Sequence, residues 1–272
     1  MQIRLIEGIK RRLARHIDLI TKYKDPNTIF IYQMGKVGST SLEQALPNAV
    51  HIHAFYSKNH TCPVRQKGLA KFGLKHFIYR AEQEIVSLLL RRAFKKRSFT
   101  KIITLVRDPQ ARNISMFFHD LDAYIFSAHT NCLNTRRVPL PTRCQNSAML
   151  ADIYNQEFDH DYALRWFDSE FLPMTGINVY DSCFDKDKGF AYLTSSKVEV
   201  MCIRTDKLKY CMSEVSLFVD QEIVLDRLNQ ANEKWYGEIY QGFITSYELP
   251  EERKHKINSS QFFQHFFDSS AK

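Results

Sequence analysis

Apolar residues recur along the chain in two kinds of pattern. Short continuous runs, rich in β-branched and aromatic residues, predict buried strands at residues 28–32, 49–55, 101–106 and 198–203. Longer segments with helical character lie between and after them, at 41–46, 68–96, 109–118, 155–171, 213–234 and 237–247. Because strands that alternate with helices build a mainly parallel sheet, the sequence predicts an α/β fold with a central sheet flanked by helices.

The first 24 residues carry a pattern of their own. Apolar residues from Ile3 to Leu19 recur at about 3.6-residue spacing among arginines and lysines, and Asp25-Pro26-Asn27 ends the segment. This predicts an amphipathic helix over 1–24, either docked on the domain or lying on an anionic membrane surface. Neither a signal peptide nor a membrane span of ~20 apolar residues is expected. With no repeat or linker, residues 1–272 are predicted to form a single domain, whose α/β core and C-terminal helices span 25–272.

Composition and charge say more about the protein's binding partners than about its fold. Hydrophobic residues make up 44% and charged residues 25% of the 272 residues, as in ordinary globular proteins. A net charge of +8 and a pI of about 9.1 favour anionic partners, although a solvated basic surface would explain them equally. None of the six cysteines forms a CxxC pair, which argues against a zinc site. Cys202 is predicted to be a buried free thiol, whereas Cys132 and Cys144 flank a loop predicted at 131–146 and could pair.

The first candidate site is the loop that follows the first predicted strand, Gln-Met-Gly-Lys-Val-Gly-Ser-Thr-Ser at residues 33–41. Parallel strands deliver such loops to the carboxyl edge of the sheet, where ligands of open α/β sheets bind. Gly35 and Gly38 allow tight turns, successive N–H groups and a helix start would face one anion, and Lys36 adds positive charge. Further donors are the hydroxyls of Ser39, Thr40 and Ser41. Since the lysine precedes the second glycine, the loop differs from the GxxxxGK[ST] loop of nucleoside triphosphatases.

The third predicted strand leads into a second candidate site. Arg107 ends this strand, Asp108-Pro109 follow, and Ser115 lies about two helical turns further on. An arginine at a strand end can make a forked contact with a phosphate, which a nearby serine hydroxyl can complete. A salt-bridged arginine beside a surface serine is the alternative interpretation.

Together these motifs resemble those of the sulfotransferase family that uses 3′-phosphoadenylyl sulfate (PAPS). Lys36-Val37-Gly38-Ser39-Thr40 matches the family's loop for the 5′-phosphosulfate end of the donor, and Arg107 with Ser115 matches its pair for the 3′-phosphate. The nearest likeness is to uronyl 2-O-sulfotransferases acting on heparan or dermatan sulfate, whose loop is Lys-Val-Ala-Ser-Thr-Ser, and to bacterial capsular-polysaccharide sulfotransferases. The resemblance spans roughly residues 28–208, and it includes a late strand followed by Arg204, Asp206 and Leu208.

The resemblance implies a three-layer, P-loop-like fold and PAPS as the co-substrate. It also implies the residues that would bind this donor: Gly35, Lys36, Val37, Gly38, Ser39, Thr40, Ser41, Arg107 and Ser115. No metal is expected, because lysine, arginine and backbone dipoles can stabilise the charge that develops during transfer. Lys36 would neutralise charge on the bridging oxygen and the sulfuryl group.

Transfer to a hydroxyl calls for a general base, and histidine has a suitable pKa. His53 ends the second predicted strand at the same edge as the loop, and by resemblance it takes the place of the family's base. His51 is two residues earlier on the same strand face, so the sequence leaves the choice between them open. His119, close after the second motif, is a weaker candidate for the base. Either of the first two could instead be a structural histidine.

The acceptor is the least defined part of the prediction. A hydroxyl on a glycan or glycolipid fits the resemblance, and a basic groove for it could be lined by Lys58, Arg65, Lys67, Arg136, Arg137 and Arg143. We expect a cytoplasmic enzyme, with possible peripheral contact to the inner membrane through the first helix, or a Golgi-lumen enzyme if an anchor has been removed. The alternatives are an atypical nucleotide or small-molecule kinase and a non-enzymatic basic module that binds nucleic acid or membrane. Oligomeric state stays open.

Overall fold

The computed structural model describes residues 2–56, 73–134, 147–224 and 235–267. Its strands are β1 (Ile29–Tyr32), β2 (Val50–Ile52), β3 (Thr100–Val106), β4 (Phe190–Thr194) and β5 (Val198–Arg204). Its α-helices are α1 (Gln2–Lys24), α2 (Thr40–Ala45), α3 (Gly73–Lys95), α4 (Pro109–His119), α5 (Leu121–Asn134), α6 (Ser147–Glu157), α7 (Tyr162–Trp166), α8 (Leu172–Thr175), α9 (Met212–Val219), α10 (Gly237–Ser246), α11 (Glu251–Asn258) and α12 (Gln261–Phe266). A π-helix (Phe167–Phe171) joins α7 to α8, and two 3₁₀ segments span Val179–Asp181 and Thr205–Tyr210.

The five strands form one sheet in the order β2-β1-β3-β5-β4. Neighbours from β2 to β5 are parallel, and β4 runs antiparallel to β5 at the edge. The predicted α/β fold, with a mostly parallel central sheet flanked by helices, is therefore confirmed. The β3–β5 register ends with Val106 opposite Arg204, so Arg107 and Thr205 leave the sheet as neighbours.

The strand order places a crevice beside the end of β1. The chain passes from β1 to β2 on one side of the sheet, and then crosses to β3 on the other side of β1. In doubly wound sheets the loops on either side of such a reversal diverge, and ligands bind between them at the carboxyl edge. The loop after β1 and the turn after β3, which are the two sequence candidates, both leave the sheet at this point.

Burial on both faces explains the continuous apolar runs of the central strands. Phe30, Ile31, Ile102 and Ile103 are each at most 1% exposed. Aromatic rings fill one side of this core, with edge and stacked contacts among Tyr23, Phe30, Tyr32, Phe55, Phe94, Trp166 and Phe171. This cluster lies directly beneath the chain segment that follows β2.

Arg97 fixes the connection between α1 and β1. Its guanidinium donates to one hydroxyl and to four backbone carbonyls between residues 23 and 28. The acceptors are Tyr23 O at 2.9 Å, Asp25 O at 2.5 Å, Pro26 O at 3.0 Å, Thr28 O at 3.3 Å and Thr100 Oγ1 at 3.1 Å. Only 8% of Arg97 is exposed, and burial lowers its pKa. It belongs in sequence to the basic run 91–97, yet it has a structural role that the other members of the run do not share.

The predicted N-terminal helix is present, and its second half is docked on the domain. Tyr23 is buried against Phe30 and Phe55, and His16 Nε2 lies 3.0 Å from Glu82 Oε1 of α3. Within the described ranges, no helix combines the length and the apolarity that crossing a membrane requires.

Several element boundaries differ from the predicted ones. The second strand ends at Ile52, so His53 lies just beyond the sheet and not at the last position of a strand. The segment 155–171 is broken at 158–161 between α6 and α7, and residues 131–134, predicted as loop, extend α5. The predicted helix at 213–234 ends at Val219, where Asp220 adopts a left-handed backbone with φ 55°, and residues 225–234 of that prediction lie outside the described residues. Strand β4 was missed altogether.

Candidate functional site

The loop between β1 and α2 has an unusual backbone. Lys36 and Gly38 both lie in the left-handed region, with φ of 70° and 88°, and Val37 between them does not. A non-glycine residue rarely adopts positive φ unless surrounding contacts hold it there. Val37 supplies one such contact, because its side chain is fully buried beneath the loop.

Side chains from three later parts of the chain hold the loop from below. Each donates a hydrogen bond to one of three successive loop carbonyls: Arg112 Nε to Gly35 O at 3.0 Å, Arg107 Nη1 to Lys36 O at 3.1 Å, and Thr205 Oγ1 to Val37 O at 2.5 Å. The two arginines come from the end of β3 and from α4, and the threonine follows β5.

This clasp sets the direction of the loop's N–H groups. In a planar trans peptide the C=O and the N–H point in opposite directions. Since the carbonyls of residues 35–37 face the protein, the N–H groups of Lys36, Val37 and Gly38 face the other way. Successive N–H groups on alternating backbone conformations form a concave anion-binding nest. The loop therefore has the geometry of an anion site, supported by a lysine and an arginine.

Gly38 and Thr205 fit each other closely. A Cβ placed on Gly38 would lie 2.8 Å from Thr205 Cγ2, which is closer than real contacts of this kind. Thr205 Oγ1 also lies 3.0 Å from Val106 O, so one side chain ties the loop to the ends of β3 and β5. A larger residue at 38 would have to displace it.

Arg112 is a buried charge beneath the loop. It is 3% exposed, it donates to Asn113 Oδ1 as well as to Gly35 O, and its guanidinium carbon lies 4.5 Å from the centre of the Tyr162 ring. Desolvation lowers the pKa of Arg112, while burial raises the pKa of Tyr162 to about 12. An arginine remains charged despite such a shift, so its positive charge lies under the concave face.

His53 lies beside this loop. Its Nδ1 is 3.1 Å from Gln33 O, and because a carbonyl only accepts, the neutral ring carries its proton on Nδ1. A Cβ on Gly35 would lie 3.9 Å from His53 Cε1, which shows how near the ring is to the loop. Trp166 Nε1 donates to the backbone carbonyl of His53 at 3.1 Å.

His51 has a different environment on the same side of β2. Its Nδ1 lies 2.9 Å from Glu43 Oε1, which also accepts from Ser39 Oγ at 2.5 Å. The hydrogen bond from His51 is the main cause that lowers the pKa of Glu43, and burial partly opposes it. The two histidine rings meet at 4.2 Å between centroids with an angle of 76° between their planes. Their predicted placement on one face is confirmed.

A buried carboxylate anchors the backbone just after His53. Glu170, in the π-helix, is fully buried and accepts from the Tyr32 hydroxyl at 2.8 Å, from Phe55 N and from Tyr56 N at 3.4 Å. Burial is the largest cause that raises the pKa of Tyr32, and the nearby Glu170 adds to it. Segment 53–56 is thus held at three points by α7 and the π-helix.

The remaining predicted residues lie at the end of β3, in the loop and along α2 and α4, with different exposures. Arg107 follows β3 directly, Asp108 caps α4 by accepting from Ala111 N at 2.8 Å, and Ser115 is half-buried in α4. Within the loop and α2, Thr40 is exposed and Ser41 is 2% exposed. His119 is exposed at the end of α4. The donor contacts and catalytic roles assigned to these positions remain predictions.

Sequence reasoning missed the supporting residues Glu43, Arg112, Trp166, Glu170 and Thr205, and it placed Gln33 in the loop without its role as a support. Arg112 had a weak signal, because it lies between Arg107 and Ser115 on a helix that starts at the site. Glu170 and Trp166 had none, since they lie more than a hundred residues from the segment that they hold.

Some predicted features lie outside the described residues. These include Lys58, Arg65, Lys67, Arg136, Arg137 and Arg143, and the side chains of Cys132 and Cys144. Cys202 is buried with a free thiol, as predicted, and burial raises its pKa. In the described ranges, histidine, cysteine and acidic side chains form no group of three or more suited to a metal ion.

The comparisons with known proteins bear on the second half of the chain. Residues 144–268 match the model of a family described as "Putative capsular polysaccharide synthesis protein". No curated protein and no solved structure matches the chain significantly. The match covers less than half of the chain and excludes the loop, both histidines and Arg107. It includes Thr205, which contacts the loop, and Trp166 and Glu170, which contact the segment of His53. The second half of this chain is thus similar to a family linked to capsular polysaccharide synthesis.

Proposed function

We propose that the protein transfers a sulfuryl group from PAPS to a hydroxyl of a carbohydrate, with a capsular polysaccharide or its precursor as the acceptor. The observation that carries the proposal is the loop at residues 35–38, whose carbonyls are drawn inward by Arg112, Arg107 and Thr205. The family match supports the class of acceptor, and the sulfotransferase-like motifs support the donor.

The loop fits the phosphosulfate end of such a donor. Three N–H groups face outward, Lys36 is part of the same turn, and the guanidinium of Arg107 is adjacent. Arg107 has five N–H donors, and its hydrogen bond to Lys36 O uses one of them. The others can contact the donor's separate 3′-phosphate, and Ser115 on the following helix can add a hydroxyl. When bound, the donor would supply the sulfuryl group, whose bond to the phosphate oxygen breaks as the acceptor oxygen bonds to sulfur.

His53 is the residue placed to accept the hydroxyl proton. With its proton on Nδ1, held by Gln33 O, the neutral ring keeps its lone pair on Nε2. Hydrogen bonds from Trp166 to the His53 carbonyl and from the Phe55 amide to Glu170 fix the backbone at His53 and just after it. Lys36 stabilises the negative charge left on the phosphate.

His51 is better suited to position His53 than to act as the base. Its Nδ1 is bound to Glu43, and its Nε2 is buried without a hydrogen-bond partner among the described residues. The edge of one ring packs against the other. We therefore assign the base to His53.

Calorimetric titration with adenosine 3′,5′-bisphosphate tests the donor site. Lys36→Ala and Arg107→Ala should each weaken binding by roughly 10-fold or more, since each removes a charge-assisted contact of about 1.5–3 kcal/mol. Lys197→Ala removes an exposed lysine from the β4–β5 turn and serves as the matched control. Unchanged affinity in both site variants would refute the loop assignment.

A transfer assay with labelled PAPS and a panel of polysaccharide acceptors tests the base. His53→Ala should lower kcat by about 10²–10⁴-fold while binding of adenosine 3′,5′-bisphosphate stays within about threefold of wild type. Stronger thermal stabilisation by ATP with magnesium than by the bisphosphate would favour a kinase. Salt-dependent DNA binding without bisphosphate binding would favour a basic binding module.

A further inference from the structure

Helix α3 carries an outer face that changes character along its length. Large apolar side chains are exposed along it from Phe77 to Leu89, with exposed fractions of 68% for Phe77, 58% for Ile78, 59% for Ile85 and 39% and 42% for Leu88 and Leu89. Their spacing of seven, eight and eleven residues places them on one side of the helix. Lone exposed apolar residues are ordinary, but five on one side of a single helix, interrupted there by the exposed Glu84, indicate an interaction surface.

The same side of α3 becomes basic in its last two turns. Arg91, Arg92, Lys95 and Lys96 line a cavity of about 480 Å³ together with Tyr56 and Leu88. The guanidinium carbon of Arg91 lies 4.7 Å from the centre of the Tyr56 ring. Within the described residues, none of these four cations forms an ion pair with a carboxylate. A concave cluster of four such cations is suited to a phosphate group.

We propose that this outer face of α3 docks the protein on a membrane that contains anionic phospholipid. The apolar residues would insert at the boundary of headgroups and acyl chains, and the basic cavity would hold lipid phosphates. The long stems of the lysines and arginines let their charges reach the headgroups while the helix lies low on the surface.

Charge and apolarity together favour this occupant over others. A nucleic acid would be attracted to the cations, and a base could stack on Phe77, but the exposed isoleucine and leucine side chains offer it no such contact. A second copy of α3 in parallel contact would bring the basic clusters together, and like charges repel. The proposal does not depend on sulfuryl transfer, because neither half of this face belongs to the loop or to the histidine pair.

Vesicle sedimentation tests the proposal with the full chain. Vesicles of phosphatidylcholine with 30% phosphatidylglycerol, about a third anionic lipid, should bind the protein, whereas pure phosphatidylcholine should not. Each removed cation should cost roughly fivefold, so Arg92→Gln with Lys96→Gln should lower partitioning about 25-fold. Lys197→Gln with Lys209→Gln makes the same change in net charge elsewhere and should lower it less than about threefold.

A second pair of variants tests the apolar half. Ile85→Asn should weaken binding, and it should do so at high ionic strength as well, where Coulomb attraction is screened. Leu217→Asn alters an apolar residue on α9 that is still more exposed, 77% against 59% for Ile85, and should leave binding unchanged. Thermal unfolding must show the variants folded. Equal loss with both charge pairs would overturn the proposal. The proposal would also be overturned if a soluble acidic polysaccharide or glycerophosphate displaced the protein from the vesicles as effectively as excess anionic vesicles do, since the cavity would then bind a free anion.

Discussion

Replacing Glu170 should lower the stability of the protein and its turnover, but leave nucleotide binding almost unchanged. In the Glu170→Ala variant, the buried amide of Phe55 and the part-buried amide of Tyr56 lose their acceptor. Tyr32 keeps a second acceptor, the backbone carbonyl of residue 170 at 3.0 Å, so its loss is smaller. An orphaned buried donor costs about 1–3 kcal/mol, and with the cavity and the weaker loss at Tyr56 we expect a total of about 3–5 kcal/mol.

Glu170→Gln offers a graded comparison. Its carbonyl can replace Oε1, which accepts from both Tyr32 and Phe55, so only the 3.4 Å contact with Tyr56 is lost outright. We expect a cost of about 1 kcal/mol for this variant. Asp168→Ala, in the same π-helix but exposed, should stay within about 0.5 kcal/mol of wild type.

Urea unfolding and thermal melts measure these differences, with roughly 2–4 °C per kcal/mol for a chain of this size. The two Glu170 variants should lower kcat, because segment 53–56 carries His53, yet bind adenosine 3′,5′-bisphosphate almost normally. If Glu170→Ala were as stable as Asp168→Ala, the carboxylate would not anchor this segment. If it lost the nucleotide while retaining turnover at saturation, the link to His53 would be wrong.

Three further predictions concern the loop and its supports. Gly38→Ala should lower the free energy of unfolding in urea by about 2–4 kcal/mol, because of the positive φ and the clash with Thr205. Adding Thr205→Ser should recover part of this loss by removing the clashing methyl. If the losses of the two single variants simply add in the double variant, the contact is contradicted. Arg112→Leu should cost about 2–5 kcal/mol and weaken bisphosphate binding at least 10-fold by calorimetry, because the carbonyl of residue 35 loses its donor; an unchanged affinity would argue against the clasp. Since the hydrogen bond from His51 lowers the pKa of Glu43, its stabilisation is complete above the ordinary value of 4.5 and is lost as pH falls through the depressed pKa. Glu43→Gln should therefore flatten the acid side of a stability–pH profile, and a profile that keeps its wild-type slope would contradict this.

The central strands and the loop could be predicted from the sequence because their signals are local. Runs such as 101–106 are apolar throughout since both faces of the strand are covered, and the β3–β5 register uses every residue of that run. Gly38 likewise predicted a turn that only glycine tolerates easily, and its φ of 88° agrees.

The missed elements depend on contacts that are distant in sequence. Strand β4 alternates buried and exposed residues from Ala191 to Thr194, a half-buried edge pattern that is too short to stand out before its pairing with β5 is known. Helix α9 ends at Asp220, an aspartate in the left-handed region, although the helical pattern of its sequence continues. The roles of Trp166 and Glu170 follow only from the fold, which brings them against segment 53–56.

The two halves of the chain meet at one site, and this connects lines of evidence that do not overlap in sequence. The loop, Arg107 and His53 carry the sulfotransferase-like pattern, while residues 144–268 carry the similarity to a capsular polysaccharide family. Thr205 holds the loop, and Trp166 and Glu170 hold the segment of His53. Because these supports come from the matched half, a change of its packing would alter the geometry of the proposed donor site and base. A role in polysaccharide synthesis and a transfer reaction at this edge of the sheet are therefore compatible parts of one proposal, and the Glu170 series tests the connection between them directly.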